Sequence, residues 1–160
     1  MKSLIKIITT LFSPKEKKKQ EKVPEENLPV YNGKIEVDKY MEFKYMVVEK
    51  SQYFQFKTPD EILKILNKRN LLWIDVKNDL LGYSNEQRSK LFILSEVTGF
   101  EIQNMLPAKG GGGSWILVCF ANGTSCEIAE AGEYSFDEYA DEISKVTNLP
   151  VTFLPEYYNC

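Results

Sequence analysis

The chain has 160 residues, of which 43% are hydrophobic and 27% charged, and its formal net charge is −3. These proportions exclude a membrane-embedded or wholly disordered protein and favour one globular domain. The sequence contains no histidine, so the commonest general base and metal ligand are missing, and we expect a protein that is not an enzyme and holds no metal or cofactor. Its three cysteines are too few for a disulfide framework, which favours a reducing, cytoplasmic location.

Charge is distributed unevenly along the sequence. Residues 1–22 contain seven lysines and two glutamates, a charge of +5, so the other residues together carry −8. An acidic body argues against nucleic acid as the partner, because binding to phosphates requires a basic face on the domain itself. A basic protein is the partner that this charge favours.

The first residues have the spacing of an amphipathic helix. Polar residues recur at steps of four, three and four from Lys2 to Ser13, and apolar residues fill the opposite side. Lys6 interrupts the apolar run, so the segment could lie on a membrane but is too polar to cross it. Attachment to the inner face of an anionic membrane would depend on Leu4, Ile5, Ile8, Leu11, Phe12, Lys15, Lys17, Lys18 and Lys19. Docking of the helix on its own domain or on a partner is the alternative.

A charged stretch with two prolines, from Val23 to Pro29, follows the lysine cluster and is typical of a solvated linker. The sequence therefore divides into two parts. We predict that residues 1–29 form an amphipathic helix with a charged linker, and that residues 30–160 form a single α+β domain.

Strands are predicted at the start of this domain. Apolar and charged residues alternate over residues 34–37 and again over residues 41–47, as in half-buried strands, and residues 53–56 form a predicted partner strand. The sequence Thr-Pro-Asp-Glu at residues 58–61 is typical of a helix N-terminus. It predicts a helix that runs to about Asn70.

The middle of the domain contains a short apolar run and a second predicted helix. Residues 71–76 are typical of a buried strand. Ser84 and Gln87 match a capping box, which predicts a helix that continues through Leu91 and ends at Gly99. Another strand is predicted to start at residues 100–102.

A hairpin is predicted near the third quarter of the chain. Asn122 and Gly123 stand between two apolar runs, the usual signal for a two-residue type I′ turn. That turn places Cys119 directly opposite Cys126 on one face of the sheet. We expect both thiols to lie in the core, and their predicted proximity leaves a disulfide as the alternative.

A third helix is predicted from Ser135 through Val146, followed by a closing strand at residues 150–154. From residue 71 onward the predicted order is strand, helix, strand, hairpin, helix and strand. This order predicts an α+β fold in which about three helices pack on a mixed or antiparallel sheet. It is close to a ferredoxin-like or split βαβ sandwich with added N-terminal strands and the N-terminal amphipathic helix.

Glycines dominate the loop from Lys109 to Ser114. Phosphate-binding loops lead into a helix, whereas these glycines lead into a predicted strand. We therefore expect a flexible connector, and the run from Gly110 to Ser114 also matches a common engineered linker.

Acidic residues concentrate between residues 127 and 142, where no lysine or arginine occurs. Like charges four apart on the third predicted helix are unfavourable there, which a basic partner would explain. A solvated acidic face and a Ca²⁺ or Mg²⁺ site are the alternatives. The predicted partner-binding residues are Glu127, Glu130, Glu133, Asp137, Glu138, Asp141 and Glu142.

No predicted catalytic group stands out. Asp75 and Asp79 could form a carboxylate pair, but turn and capping roles are expected of them, and neither Cys119 nor Cys126 has a histidine to activate it. The leading hypothesis is a non-catalytic acidic protein that docks a basic protein partner, as a bacterial toxin-immunity protein does when it inhibits a toxin. The alternatives are a peripheral membrane adaptor attached through residues 1–22 and a carboxylate-dependent hydrolase or transferase.

Overall fold

The structure, a computed structural model, describes residues 27–43 and 54–160. The predicted amphipathic helix and lysine cluster of residues 1–22 therefore lie outside the described residues. Of the described residues, 45% are in strands and 15% are helical, and they include one helix of seven or more residues. The predicted α+β fold with three helices is wrong, because the chain forms two β-sheets that pack face to face.

The first sheet has five strands in the order β1-β3-β4-β5-β2, and every neighbouring pair is antiparallel. Its strands are β1 (Lys39–Phe43), β2 (Gln55–Lys57), β3 (Asn70–Asp75), β4 (Leu80–Ser84) and β5 (Arg88–Ile93). The buried strand predicted at residues 71–76 is confirmed as β3. The strand predicted at residues 34–37 is not formed, and β2 pairs with β5 instead of with the strand that precedes it.

Both faces of this first sheet are covered. One face packs on the second sheet, whereas the other lies under residues 31–37 and the short helix α1 (Asp60–Leu63). Every residue of β3 and β4 is buried as a result. A strand that is buried on two faces loses the alternation of apolar and polar residues.

The first predicted helix begins where expected but is only four residues long, and its predicted cap is absent. Pro59 occupies the capping position, and the Thr58 hydroxyl donates instead to the Asn85 carbonyl oxygen at 2.7 Å. Lys68 adopts a left-handed conformation with φ 55°, so the chain has already left the helix before Asn70.

The second predicted helix is a strand hairpin. The Asn85 side-chain oxygen accepts hydrogen bonds from the amides of Gln87 and Arg88, at 2.9 and 2.8 Å, and so closes a turn between β4 and β5. Ser84 therefore ends a strand and does not cap a helix. Gly99, the predicted helix end, lies inside the next strand.

The second sheet contains β6 (Val97–Leu106), β7 (Gly113–Phe120), β8 (Ser125–Ala131), β9 (Val151–Phe153) and β10 (Tyr157–Tyr158). The strands predicted at residues 100–102 and 150–154 are confirmed as parts of β6 and β9. β7 and β8 follow β6 as an antiparallel meander. β9 and β10 both add parallel to β6, β9 beside residues 100–102 and β10 beside residues 105–106.

The third predicted helix is confirmed as α2 (Ala140–Thr147), which follows a 3-10 turn at Asp137–Tyr139. The helix ends at Asn148, whose φ of 57° is left-handed and whose amide donates to the Ser144 carbonyl oxygen at 2.8 Å. Its apolar residues join the core between the two sheets. The core residues from this part of the chain are Phe136, Tyr139, Ile143 and Val146.

The β7–β8 hairpin is confirmed, but its register differs from the prediction. The Phe120 amide donates to the Thr124 carbonyl oxygen at 2.9 Å, and Gly123 has φ 82°, so the loop has three residues with glycine in the left-handed position. Cys126 consequently lies opposite Val118, and Cys119 lies opposite Ser125.

This one-residue shift separates the two thiols, because it puts them on opposite faces of the sheet. Cys126 is buried in the core, as predicted, but Cys119 is half-buried on the outer face. Both are free thiols, so the disulfide alternative is wrong.

Two buried contacts involve residues of the first sheet. The Trp73 indole lies across Gly82, where a Cβ atom would come within 2.1 Å of the ring, and its nitrogen donates to the Ser84 hydroxyl at 2.9 Å. Lys90 is fully buried, and its ammonium donates to the Glu127 carbonyl oxygen of the second sheet at 2.7 Å. This bond joins β5 to β8.

Candidate partner-binding surfaces

The structure distributes the seven predicted partner-binding acids over several elements. Glu127 and Glu130 are half-buried in β8, and Glu133 is exposed in the turn after it. Asp137 and Glu138 belong to the 3-10 turn, and only the exposed pair Asp141 and Glu142 lies on α2. The predicted like-charge pairs along one helix are therefore not formed, and the seven acids do not make one continuous helical face.

Asp137 has a structural contact. Its carboxylate accepts a hydrogen bond from the Asn104 side-chain amide at 2.9 Å. The side-chain oxygens of Asn104 and of its cross-strand neighbour Ser114 are buried and make no hydrogen bond with the described residues. This contact thus ties the 3-10 turn before α2 to β6.

An open groove of about 610 Å³ lies between β1 and α2. Asp141 and Glu142 line one wall, and Asp38 and Tyr40 line the other. Lys39, Lys145 and Val146 complete its lining. The groove therefore brings two predicted partner-binding residues together with two residues from a distant part of the chain.

The carboxylates of this groove differ in how they are held. The Asp38 carboxylate accepts from the Val76 amide at 2.6 Å, which fixes it at the end of β1. No described lysine or arginine forms an ion pair with Asp141 or Glu142. Both lie in the first turn of α2, where the helix N-terminus stabilises negative charge. Tyr40 is 49% exposed and supplies a large aromatic surface beside them.

A second surface is the outward side of the second sheet, which we call the open face. Alternation along the strands turns its residues away from the core, and no lysine or arginine is among the following members. The open face consists of Glu101 and Gln103 on β6, Trp115, Leu117 and Cys119 on β7, and Glu127 and Glu130 on β8.

Cys119 lies in an acidic setting on this open face. Its burial, the charge of Glu101 and a hydrogen bond with Glu101 together raise the pKa of the thiol to about 11. A catalytic cysteine needs the opposite shift, because the thiolate is the nucleophile. The thiol of Cys119 is therefore held in its unreactive, protonated form at neutral pH.

Asp75 and Asp79, the carboxylate pair considered for catalysis, instead accept hydrogen bonds from backbone amides. Asp75 is fully buried and accepts from the amides of Glu36 and Asn78, at 2.6 and 3.0 Å. Asp79 accepts from both the amide and the hydroxyl of Ser95, at 2.7 and 2.6 Å. The expected turn and capping roles are confirmed for both residues.

The glycine-rich loop is more constrained than a flexible connector. Gly113 and Ser114 belong to β7, and the Asn159 side chain donates to the Gly111 carbonyl oxygen at 3.1 Å. A Cβ atom on Gly113 would come within 2.8 Å of the Trp115 ring. A side chain at this position would therefore displace the Trp115 ring.

Two further properties concern metals and membranes. Across residues 27–43 and 54–160, no three histidine, cysteine or acidic side chains cluster closely enough to hold a metal ion. Within the same ranges, no helix has the length and apolar character needed to cross a bilayer.

Sequence patterns missed several residues of the two surfaces. Asp38 lies directly before β1, and Tyr40 lies within it. The alternation along β1 indicated that Tyr40 faces away from the core, because it is out of phase with the buried residues Met41 and Phe43. Glu101 alternates with the core residues Phe100 and Ile102 in the same way. Neither pattern could show which other strand or helix lies beside it.

Comparison with known protein families identifies the family of this chain. A family model described as the PM0294 C-terminal domain matches residues 27–158, which include all ten strands and both α-helices found among the described residues. The protein therefore belongs to the PM0294 C-terminal domain family.

Proposed function

We propose that this protein is a non-catalytic, cytoplasmic binding protein that docks a basic protein partner in the groove between β1 and α2. The observation that carries the proposal is the exposed pair Asp141 and Glu142 on one wall of that groove, facing the exposed ring of Tyr40. A basic toxin bound by an immunity protein is one partner of this kind.

The chemistry of the groove supports a protein ligand. Protein interfaces combine an aromatic anchor with a polar rim, and arginine on the partner can both stack on a tyrosine and pair with carboxylates. Tyr40 supplies the anchor, and Asp38, Asp141 and Glu142 supply the carboxylates. Lys39 and Lys145 also line the groove and reduce its negative charge. They would repel a partner whose contacting residues are all positively charged, which adds selectivity.

The absence of activated groups among the candidates supports a non-catalytic role. The Asp75 carboxylate accepts hydrogen bonds from the amides of Glu36 and Asn78, and the Asp79 carboxylate accepts them from Ser95. The raised pKa of Cys119 disfavours its thiolate. A hydrolase or transferase would need an acid, base or nucleophile that these three candidates do not supply.

The test uses the tagged full chain to capture its partner from cells of its source organism, followed by mass spectrometry and titration calorimetry with the purified partner. The groove variant carries Asp141→Lys and Glu142→Lys. A matched control carries Glu86→Lys and Glu96→Lys, which are exposed and lie away from the groove lining.

We expect a basic partner and a loss of affinity of about 100-fold or more in the groove variant, because close interfacial charge pairs contribute several kcal/mol. Tyr40→Ala should weaken binding in the same direction, since aromatic anchors are the usual hot spots. Equal weakening by the groove and control variants would refute the groove as the docking site. Capture of no basic protein would refute the function.

A further inference from the structure

β1 has an edge that no described strand pairs with, which we call the free edge. β1 is the outermost strand on its side of the first sheet, and it pairs with β3 along its other edge. β2, the next described strand along the chain, lies at the opposite side of the sheet. Unpaired amides and carbonyl groups on the edge of a sheet form a template for a further strand. The free edge is therefore a candidate site for strand addition.

The groove between β1 and α2 lies beside the free edge. Its lining includes residues of β1 and α2 but none of β3, which occupies the other edge of β1. Lys39 and Tyr40 are both exposed, although successive side chains of a strand point to opposite faces of the sheet. Both sides of β1 are thus accessible at this end, whereas Met41 and Phe43 are buried in the core.

α2 forms an acidic wall opposite the free edge. Asp141 and Glu142 are exposed in the first turn of the helix, and no described lysine or arginine forms an ion pair with them. Val146, a core residue one turn further along, also lines the groove. An occupant of the groove therefore meets backbone hydrogen-bonding groups on one side and two carboxylates on the other.

The dimensions of the groove fit an extended segment. The five residues of β1 extend over about 17 Å, at about 3.4 Å for each residue, and the eight residues of α2 over about 12 Å. Lys39 lies on the side of β1 that faces the core, as Met41 does, whereas Tyr40 lies on the other side with its partner Trp73. In an added strand, every second side chain would face α2, and the side chains between them would lie on the side of Tyr40.

Other occupants fit the groove less well. The amides and carbonyl groups of a helix are bonded within the helix, so a helical segment would leave the free edge unpaired. A second copy of this chain, paired through the same edge, would place its own α2 beside the first. The carboxylates of the two helices would then repel each other.

We infer that the basic partner inserts an extended segment into the groove as an additional strand of the first sheet. The segment forms hydrogen bonds with the free edge of β1, and its basic residues occupy every second position, where they face Asp141 and Glu142. In this mode of recognition the main chain supplies affinity, and the alternate side chains supply specificity. The inference rests on the proposed function and adds to it the conformation and residue pattern of the bound segment.

A synthetic peptide tests the mode of binding to the full chain. The probe is an acetylated and amidated peptide of about eight residues in which arginine and threonine alternate, so that it is basic on one side when extended. A control peptide has the same composition with the arginines in one block. Alternate amides of β1 bond to β3 and the others point to the free edge. We expect these others to exchange with solvent at least about tenfold more slowly when the probe is bound, measured by NMR. The control peptide should leave them unprotected.

Proline variants at the exposed end of β1 locate the hydrogen bonds. Lys39→Pro and Tyr40→Pro remove amides that point to opposite edges of the strand, whereas the matched controls Lys39→Ala and Tyr40→Ala keep them. One proline variant should be less stable in urea, because it loses a bond to β3. The other should be as stable as its alanine control, but it should bind the probe at least about tenfold less tightly in titration calorimetry.

Charge reversal tests the acidic wall. Asp141→Lys with Glu142→Lys should weaken binding of the probe by about tenfold or more, because attraction becomes repulsion. Glu86→Lys with Glu96→Lys makes the same change of charge away from the groove and should leave the affinity unchanged.

Four results would overturn the inference. They are protection of every β1 amide in the free protein, absence of probe binding, equal binding of the two peptides, and a stable proline variant that binds the probe as its alanine control does. Each can occur while the groove still captures a basic protein. Failure of the proposed function has a different result, which is that no basic protein is captured or that Asp141 and Glu142 do not affect its binding.

Discussion

Replacement of Gly82 by alanine tests the packing of the first sheet. The added Cβ would come within 2.1 Å of the Trp73 ring, which is fully buried and cannot move without disturbing its neighbours. Overpacking costs about 1–3 kcal/mol, and loss of the hydrogen bond from Trp73 to Ser84 adds about 1 kcal/mol. The lower entropy of the unfolded chain offsets about 0.4–1 kcal/mol of this. We expect the free energy of unfolding to fall by about 2–3 kcal/mol.

Urea unfolding measures this loss. With a slope of about 2 kcal/mol per molar, the midpoint should fall by about 1 M. Gly111→Ala is the matched control, because nothing lies within 4 Å of its added Cβ. Trp73→Phe should make room, so the double variant with Gly82→Ala should be more stable than the sum of the single losses indicates. Additive losses, or a loss at Gly82 no larger than at Gly111, would refute the steric explanation.

Two further predictions follow from the thiol and from the end of α2. In a Cys160→Ser background, Glu101→Gln should lower the pKa of Cys119 from about 11, because the charge of Glu101 helps to raise it. Alkylation of Cys119 at pH 8, measured by mass spectrometry, should then be faster. An unchanged rate would show that burial alone sets this pKa. Asn148→Ala should lower the free energy of unfolding by about 1–2 kcal/mol, because φ is 57°, whereas Asn148→Gly should cost less. Equal losses of stability in the two variants, measured by thermal unfolding, would contradict the left-handed conformation of Asn148 as the cause.

The main error in predicting the fold came from strands that are buried on both faces. In β5, Leu91 faces the cluster with Trp73, whereas Phe92 faces the core between the sheets. Apolar residues on both sides remove the period of two, and the remaining pattern also fits a helix. The turn before it resembled a capping box because asparagine and serine side chains accept amide hydrogen bonds in both settings.

Single strands with one covered face were predicted more accurately, as were the β7–β8 hairpin and α2. In the hairpin, Asn122 and Gly123 indicated the turn correctly but not its length. The third loop residue shifts the register by one, so the β7 residues that were predicted to share a face with Cys126 lie on the opposite face of the sheet. Cys119 moved from the predicted core to the open face for this reason.

The candidate surfaces could be predicted only in part. The acidic character of Asp141 and Glu142 is readable from the sequence, but their neighbours in the groove, Asp38 and Tyr40, are about 100 residues away. The open face depends on the register of β6, β7 and β8, which local patterns do not determine. Long-range pairing was therefore the missing information.

The edge of β6 has a consequence for the order of folding. β7 pairs along one edge of this ten-residue strand, and the other edge is completed only by β9 and β10, which follow all the other strands along the chain. During synthesis, residues 100–106 must wait for residues 151–158 before that edge is paired. Such late, long-range parallel pairing is slow, and an open edge invites association with other chains. The interval before β9 and β10 arrive is thus when newly made chains are most prone to aggregate.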